Sequence, residues 1–392
     1  MAEPSREGDD VVASDMGQTV PEILKMINHL GCASAALITL AACAGSADGG
    51  GAGGSSGSAS TSSAGGAGLA SVGGAQGVGG AVDAAPAPPE NLVFYLTGEA
   101  ADAAVPTATP EVVLMGGGAD VDAIFERWAT LVPGGDVVVL RASGADGYNA
   151  YLFDDIGGFD SVETLLVTTP ELANDDYVAY RLGHAEAIFI AGGDQAAYVA
   201  AWKGTRLFDE LEAAVARGAV VGGTSAGAAI LGDVAFTALE GTVYSDEALA
   251  DPYNAYMTFD ADLCDLDVGL GGAIVDTHFS ARDRMGRLVG FVARTLEDGA
   301  APPAIGIGVD EATALVVGAG GASTVFGAGS VYVVVQTEKS AVCDPGAPLE
   351  VVGDTLYKLR AGDTIDLATR TASVASSSLG ASGGVTVPAD PY

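Results

Sequence analysis

From residue 91 onward the chain alternates short apolar runs with amphipathic stretches. Runs of strand length fall at 112–115, 137–140, 165–168, 187–190 and 219–221. Between the first two, residues 122–131 carry Ile124, Trp128 and Leu131 at helical spacing, and other helical stretches separate several of the remaining runs. Continuous apolar strands alternating with helices predict an α/β domain, its mostly parallel sheet flanked by helices. In such a sheet the chemistry gathers at the carboxyl ends of the strands, so the residues just after each run carry the functional reading. Two further runs, 273–275 and 305–309, continue the pattern. Beyond residue 340, residues 351–359 and 364–367 predict strands joined through Ala361-Gly362-Asp363, and the Ser/Gly-rich end from Ser376 is expected to fray.

The pattern stops abruptly before residue 91. Residues 44–90 are almost wholly Gly, Ala and Ser and close on Ala-Pro-Ala-Pro-Pro. Such a tract buries too little apolar surface to offset its chain entropy, and a disordered linker is expected. As a coil it spans ~40 Å. Ahead of it, the apolar run 33–42 is too short to cross a bilayer and suits the core of a signal peptide. It ends in Leu40-Ala41-Ala42-Cys43, which resembles a bacterial lipobox with Cys43 as the lipidated residue. Either Met26 is the true start or the leader is atypical in its length and its polar, acidic beginning. The expected organisation is a leader over 1–43, a linker over 44–90, a catalytic domain over 91–340 and a β-rich extension over 341–392. The expected location is extracytoplasmic, lipid-anchored to the envelope or secreted, with the anchor as the sole membrane contact.

Chemistry enters after the run 219–221. Gly223-Thr224-Ser225-Ala226-Gly227 fits the G-x-S-x-G elbow, a tight strand-to-helix turn that exposes the Ser hydroxyl. The helix that follows supplies backbone N–H groups, Ala226 first, for a developing oxyanion. A serine nucleophile needs a base. Beyond residue 90 the chain has His184, which reads as an ordinary surface histidine, and His278, which follows the run 273–275. An acidic pair, Asp310-Glu311, follows the run 305–309. The chain order Ser, His, acid differs from the Ser, acid, His order of α/β-hydrolases.

Charge and cysteine content narrow the classes. Against 51 Asp+Glu stand 16 Lys+Arg, for a net charge of −35, which disfavours nucleic-acid partners. The excess serves solubility or attracts cationic, Arg-bearing substrate. With three His, four Cys and no CxxC pair, neither a metal site nor a cofactor is expected. Cys264 and Cys343 either pair as a disulfide in an oxidising envelope or remain buried thiols.

Taken together the motifs resemble the cyanophycinase and dipeptidase E group of serine peptidases, family S51, whose fold is like that of class I glutamine amidotransferases. The motifs are Gly116-Gly117-Gly118, Gly192-Gly193-Asp194-Gln195, the Ser225 elbow, Gly269-Leu270-Gly271, Asp276-Thr277-His278-Phe279 with Arg282, Arg284 and Arg287, and residues 306–314. The resemblance covers residues 91–335. It implies a triad of Ser225 as nucleophile, His278 as base and Glu311 as orienting acid, with Asp310 as the reserve. It adds Gly193 to the oxyanion hole, and it places Gln195, Asp276, Thr277, Arg282, Arg284 and Arg287 around the substrate. Guanidinium forks suit carboxylates and an Asp suits a substrate Arg, although the three arginines also read as one helix face pairing with an acidic surface. The implied activity is exopeptidase cleavage of cyanophycin, a polyaspartate bearing Arg on its side chains, to β-Asp-Arg dipeptides; homodimers are the implied assembly. Thr277 departs from the Gln common in the group. It leaves open a peptidase for isoaspartyl or acidic peptides. A non-catalytic surface-binding lipoprotein is the further alternative.

Overall fold

The computed structural model describes residues 85–392 apart from 104, 107 and 262; the leader, Cys43 and most of the linker lie outside the described residues. The chain starts with strands β1 (Val93–Gly98) and β2 (Glu111–Met115), helix α1 (Asp122–Leu131) and β3 (Asp136–Arg141). A π-helical turn, Tyr151–Ile156, leads to β4 (Ser161–Leu166), α2 (Pro170–Ala173), α3 (Asp176–His184) and β5 (Ala187–Ile190). Then come α4 (Gln195–Trp202), α5 (Arg206–Arg217), β6 (Val220–Thr224) and α6 (Ala226–Ala229). A small hairpin of β7 (Ala235–Phe236) and β8 (Phe259–Asp260) encloses α7 (Ser245–Ala250). The second half holds β9 (Ala273–Asp276), α8 (Met285–Glu297), β10 (Ala304–Val309), β11 (Thr313–Gly318), β12 (Ala322–Gly327) and β13 (Ser330–Gln336). It ends with β14 (Val351–Arg360), β15 (Thr364–Asp366), β16 (Thr371–Ala372), β17 (Ser377–Ser382) and β18 (Val385–Val387).

The main sheet has ten strands in the order β1-β4-β3-β5-β6-β2-β11-β12-β15-β16. Its middle, β4-β3-β5-β6-β2, is parallel, as the apolar runs predict, and antiparallel strands extend it on both sides. The parallel strands are buried because helices cover both faces, and the residues alternate between two cores with the strand period of two. Val113, Met115, Val139 and Phe189 pack with Phe125 and Trp128 of α1. Val112, Leu114, Leu140 and Ile190 pack with Leu182 of α3, Trp202 of α4 and Leu211 of α5. The sheet is therefore mixed rather than parallel throughout.

A second, six-stranded sheet runs β18-β17-β14-β13-β10-β9, with β9 and β10 parallel and the other pairs antiparallel. Helix α8 lies directly on it: a Cβ at Gly306 would come within 2.7 Å of Val292 and 2.9 Å of Leu288. One expectation fails here and one open alternative is decided. The end from Ser376 does not fray, because β17 pairs with β14 and β18 with β17, which satisfies its backbone. Residues 341–392 instead add strands to both sheets. Cys264 and Cys343 are both free and do not form the disulfide, because they are packed into different apolar cores. Among the described residues no helix is long and apolar enough to cross a membrane.

Candidate active site

Ser225 sits in the turn between β6 and α6 with φ 55° and ψ −121°, a strained conformation for a residue with a side chain. The flanking glycines are required by close approach. A Cβ on Gly223 would lie 2.5 Å from the Gly227 backbone, and one on Gly227 would lie 2.2 Å from the Ile190 carbonyl oxygen. The Ser225 N–H donates to the Met115 carbonyl at 3.1 Å, and its own carbonyl accepts from Ala228 and Ala229. The hydroxyl is thereby held out at the carboxyl end of the parallel strands.

His278 reaches it from β9. Its Nε2 is 2.7 Å from Ser225 Oγ, and its Nδ1 is 2.6 Å from Glu311 Oε1. With Nδ1–H donating to the carboxylate, Nε2 is left to accept the serine proton. His278 has φ 48°, and its N–H donates to the Gly116 carbonyl at 2.7 Å. The ring is 11% exposed, whereas the Glu311 side chain is 44% exposed. Asp310, the reserve acid, faces elsewhere. Its two oxygens accept from the Ser280 and Ser330 N–H groups, both at 2.9 Å, and so tie the segment after His278 to β13. His184 lies at the end of α3, stacked on Tyr180 at 4.0 Å, with Nδ1 2.7 Å from the Tyr180 carbonyl oxygen.

The triple glycine is the wall of this arrangement, a role that sequence reasoning did not give it. A Cβ on Gly117 would lie 2.5 Å from His278 Cε1 and 3.1 Å from Ser225 Cβ; one on Gly118 would lie 3.0 Å from Glu311 Cβ. Gly117 also has φ +87°, which favours glycine. Gly117→Ala should displace the imidazole and lower turnover by about a hundredfold, the penalty that a displacement near 1 Å typically brings. Circular dichroism of the variant should remain native, and full turnover in it would show that the ring has room to spare.

Of the two expected oxyanion groups, Ala226 directly follows Ser225 in the chain. Ala226 opens α6, where the first N–H groups have no intrahelical acceptor. Gly192 passes close by, since a Cβ built on it would lie 3.5 Å from Ser225 Cβ, and Gly193 follows it exposed.

The expected substrate residues divide. Asp276 is 2% exposed and already occupied: Arg287 Nη2 and Nε donate to its two oxygens at 2.5 and 2.7 Å, and Arg284 Nη1 donates at 3.1 Å. Burial would push its carboxyl up, but the Arg287 and Arg284 charges overturn this and hold it below the usual range. Arg287 is 3% exposed, bonds the Val243 carbonyl and Thr242 Oγ1, and lies 5.4 Å from the Phe236 ring centroid. Thr277 is 2% exposed. Asp276 and Thr277 are thus buried beneath the site, with Asp276 committed to internal ion pairs, while Arg287 reaches the wall of the neighbouring cleft. Gln195 is half-buried, with Nε2 donating to the Phe236 carbonyl at 2.7 Å. Arg282 is exposed, and with Arg284, Arg287, Thr242, Tyr244 and Ser245 it lines a cleft of about 220 Å³. Tyr244, 63% exposed, had no signal in the sequence. Among the described residues no group of three or more His, Cys, Asp or Glu is placed to hold a metal.

Burial pushes the His278 pKa below its ordinary 6.5; the Glu311 hydrogen bond opposes this, and the charges of Arg282 and Arg284 reinforce it. A base must be neutral to accept a proton. Activity should therefore persist below pH 6.5 and fall only as pH drops through the lowered pKa. Arg282→Gln removes a repelling cation, so the acid limb of kcat/KM should move to higher pH. An unmoved limb would dissociate that limb from His278.

The model of peptidase family S51 matches residues 149–325. Among curated proteins, the cyanophycinase of Trichormus variabilis is 32% identical over 228 residues, covering 56% of this chain and 70% of the relative. The cyanophycinase of Synechococcus elongatus is 34% identical over 226 residues, 56% of this chain. The chain spans 64% of that relative's length. A crystal structure of a peptidase from an acI-B1 actinobacterium aligns with TM-score 0.44 and 19% identity over 66% of this chain and 97% of that one. The elbow, the histidine that meets it and the matched residues together have one consequence for classification: this chain belongs to peptidase family S51.

Proposed function

We propose that the chain is a serine-type peptidase that cleaves β-aspartyl-linked peptides of the cyanophycin type, releasing β-Asp-Arg. The observation that carries this reading is the relay Glu311–His278–Ser225, with hydrogen-bond separations of 2.6 and 2.7 Å. In it His278 takes the Ser225 proton as Oγ attacks the scissile carbonyl, and the N–H groups of Ala226 and Gly193 receive the oxyanion. His278 then protonates the leaving amine, and water, deprotonated by His278, hydrolyses the acyl-enzyme. Arg282 at the cleft mouth is the cation for a substrate carboxylate. The relatives named cyanophycinase support the substrate class.

A second substrate reading has an observation of its own. Asp276, expected to hold a substrate Arg, is already neutralised by Arg284 and Arg287. Selection for the Arg side chain then needs another group, and an acidic isoaspartyl peptide without Arg fits the exposed Arg282 equally. Incubating the purified full chain with cyanophycin and, separately, with isoaspartyl dipeptides distinguishes the two. Release of β-Asp-Arg supports the first, cleavage of the dipeptides alone supports the second, and cleavage of neither, the outcome for a non-catalytic binding protein, sinks both. The lipid anchor at Cys43, the extracytoplasmic location and a homodimer belong to the same reading. Mass spectrometry of the mature N-terminus tests the anchor, and an intact 1–42 segment removes it.

A further inference from the structure

Strands β13 and β14 run antiparallel with Val335 opposite Thr355, so Gln336 and Asp354 come next along the pairing, where β13 ends. On its other side β14 slips register against β17 between Val351 and Asp354, and Gly353 within the slip has φ +83°. A bulge of this kind re-aims the side chains beside it. Here it leaves a cavity of about 410 Å³ whose walls include Gln336, Glu338, Lys339, Val352 and Asp354.

Gln336 is 2% exposed and Asp354 5% exposed. Gln336 Nε2 donates to Ser340 Oγ at 3.0 Å, while Gln336 Oε1 and Asp354 Oδ2 have no hydrogen-bond partner. With the Asp354 carboxyl ionised, both unpartnered atoms are acceptors. Leaving buried acceptors unpaired costs about 1–3 kcal/mol each. Other buried carboxylates in this molecule are satisfied: Asp276 by Arg287 and Arg284, Glu163 by Arg181 and Tyr177, and Asp310 by two backbone N–H groups. Nothing offsets the burial of Asp354, which pushes its carboxyl up to about 7. The other ionisable side chains lining the cavity are Glu338 and Lys339, both exposed, and Lys339 is committed to Glu297 at 3.0 Å. The facing strand β17, Ser377–Ser382, carries no ionisable side chain.

We propose that this cavity is a binding site for a guanidinium-bearing ligand, held by Asp354 and the Gln336 carbonyl. The missing partners are donors, and the charge beside them is negative. A planar fork of N–H groups matches a carboxylate and a carbonyl that stand side by side. A bare divalent cation fits less well, because one buried carboxylate falls short of the six or so oxygens it requires. The cavity also exceeds the volume of an ion, and Val352, 88% exposed at its rim, offers apolar contact for an alkyl stem. The site lies outside residues 149–325, the part that the family model matches.

The test is titration of the full-length chain with agmatine, which carries a guanidinium and no scissile peptide bond, so the outcome is independent of the proposed peptidase activity. Calorimetry at about pH 8.5 keeps the Asp354 carboxyl ionised. Agmatine should bind the wild type and Ser225→Ala alike. Asp354→Asn should weaken it by about tenfold or more, the loss of a charge-assisted hydrogen bond. Val352→Arg, at an exposed position that does not threaten the fold, should weaken it as well by placing a cation at the rim. Parallel titrations with free arginine and with an Arg-containing peptide show whether a small molecule or a peptide side chain is the better occupant. No heat with millimolar agmatine, or equal binding by wild type and Asp354→Asn, overturns the site; the second result would mean that Gln336 and Asp354 are simply a structural pair.

Discussion

Ser225→Ala should lower kcat by at least about a thousandfold while leaving the fold intact, because the members of a catalytic triad act as a unit. Its hydroxyl is the reacting atom of the proposed mechanism, and it is 2.7 Å from the base. His278→Ala should do comparable damage, and the double variant should be no worse than either single one. The measurement is the initial rate of β-Asp-Arg release, with near-ultraviolet circular dichroism as the check on folding. A Ser225→Ala protein that kept a tenth or more of the wild-type rate would remove the nucleophile assignment. The Glu311→Gln variant adds resolution. The Glu311 side chain is 44% exposed, so water can partly replace it, and a smaller loss is expected than for Ser225 or His278.

The second large effect is on stability. Asp276→Ala should destabilise the fold by about 3–5 kcal/mol, the usual result of removing one partner from a buried ion pair. Both oxygens are occupied, and the change leaves Arg287, 4% exposed in its side chain, and Arg284, 14% exposed, without their counter-ion. Denaturant unfolding monitored by fluorescence gives the number. Replacing Arg287 by Met in the same molecule should recover part of the loss, since it removes a buried charge that no longer has a partner. This contrasts with the outcome for a substrate ligand. If Asp276 held the substrate's Arg, its removal would raise KM and leave the unfolding midpoint near wild type.

These two residues show what was legible. Ser225 was readable because the elbow needs particular residues at fixed spacing: glycines where the backbone passes within 2.5 Å, and a helix beginning at once. His278 was readable because so few histidines exist and it directly follows an apolar run. The same local logic located most of the strands to within a few residues, with helix α1 at Asp122–Leu131. It left the residues around Asp276 undecided. A carboxylate beside three arginines reads equally as a binding pocket or as an internal ion pair, and burial separates the two. Spacing alone does not supply burial. The end from Ser376 was misjudged, because Ser and Gly have low strand propensity and only the open edge of β14 draws them into a sheet.

By itself, then, the sequence determined the α/β class, the parallel middle of the main sheet and the Ser225 elbow, all of which follow from local period, turn geometry and residue scarcity. It also brought Asp310 and Glu311 to the end of one strand. Only the tertiary structure decided between them: Glu311 turns to His278, and Asp310 is consumed by the N–H groups of Ser280 and Ser330. It likewise decided that Gly117 and Gly118 wall Ser225, His278 and Glu311, that Asp276 is buried in an ion pair with Arg287, and that Cys264 and Cys343 remain apart. The reason is the same in each case. Neighbouring side chains on a strand end point in different directions, and which of them meets a distant segment depends on the packing of both sheets, which no local pattern encodes.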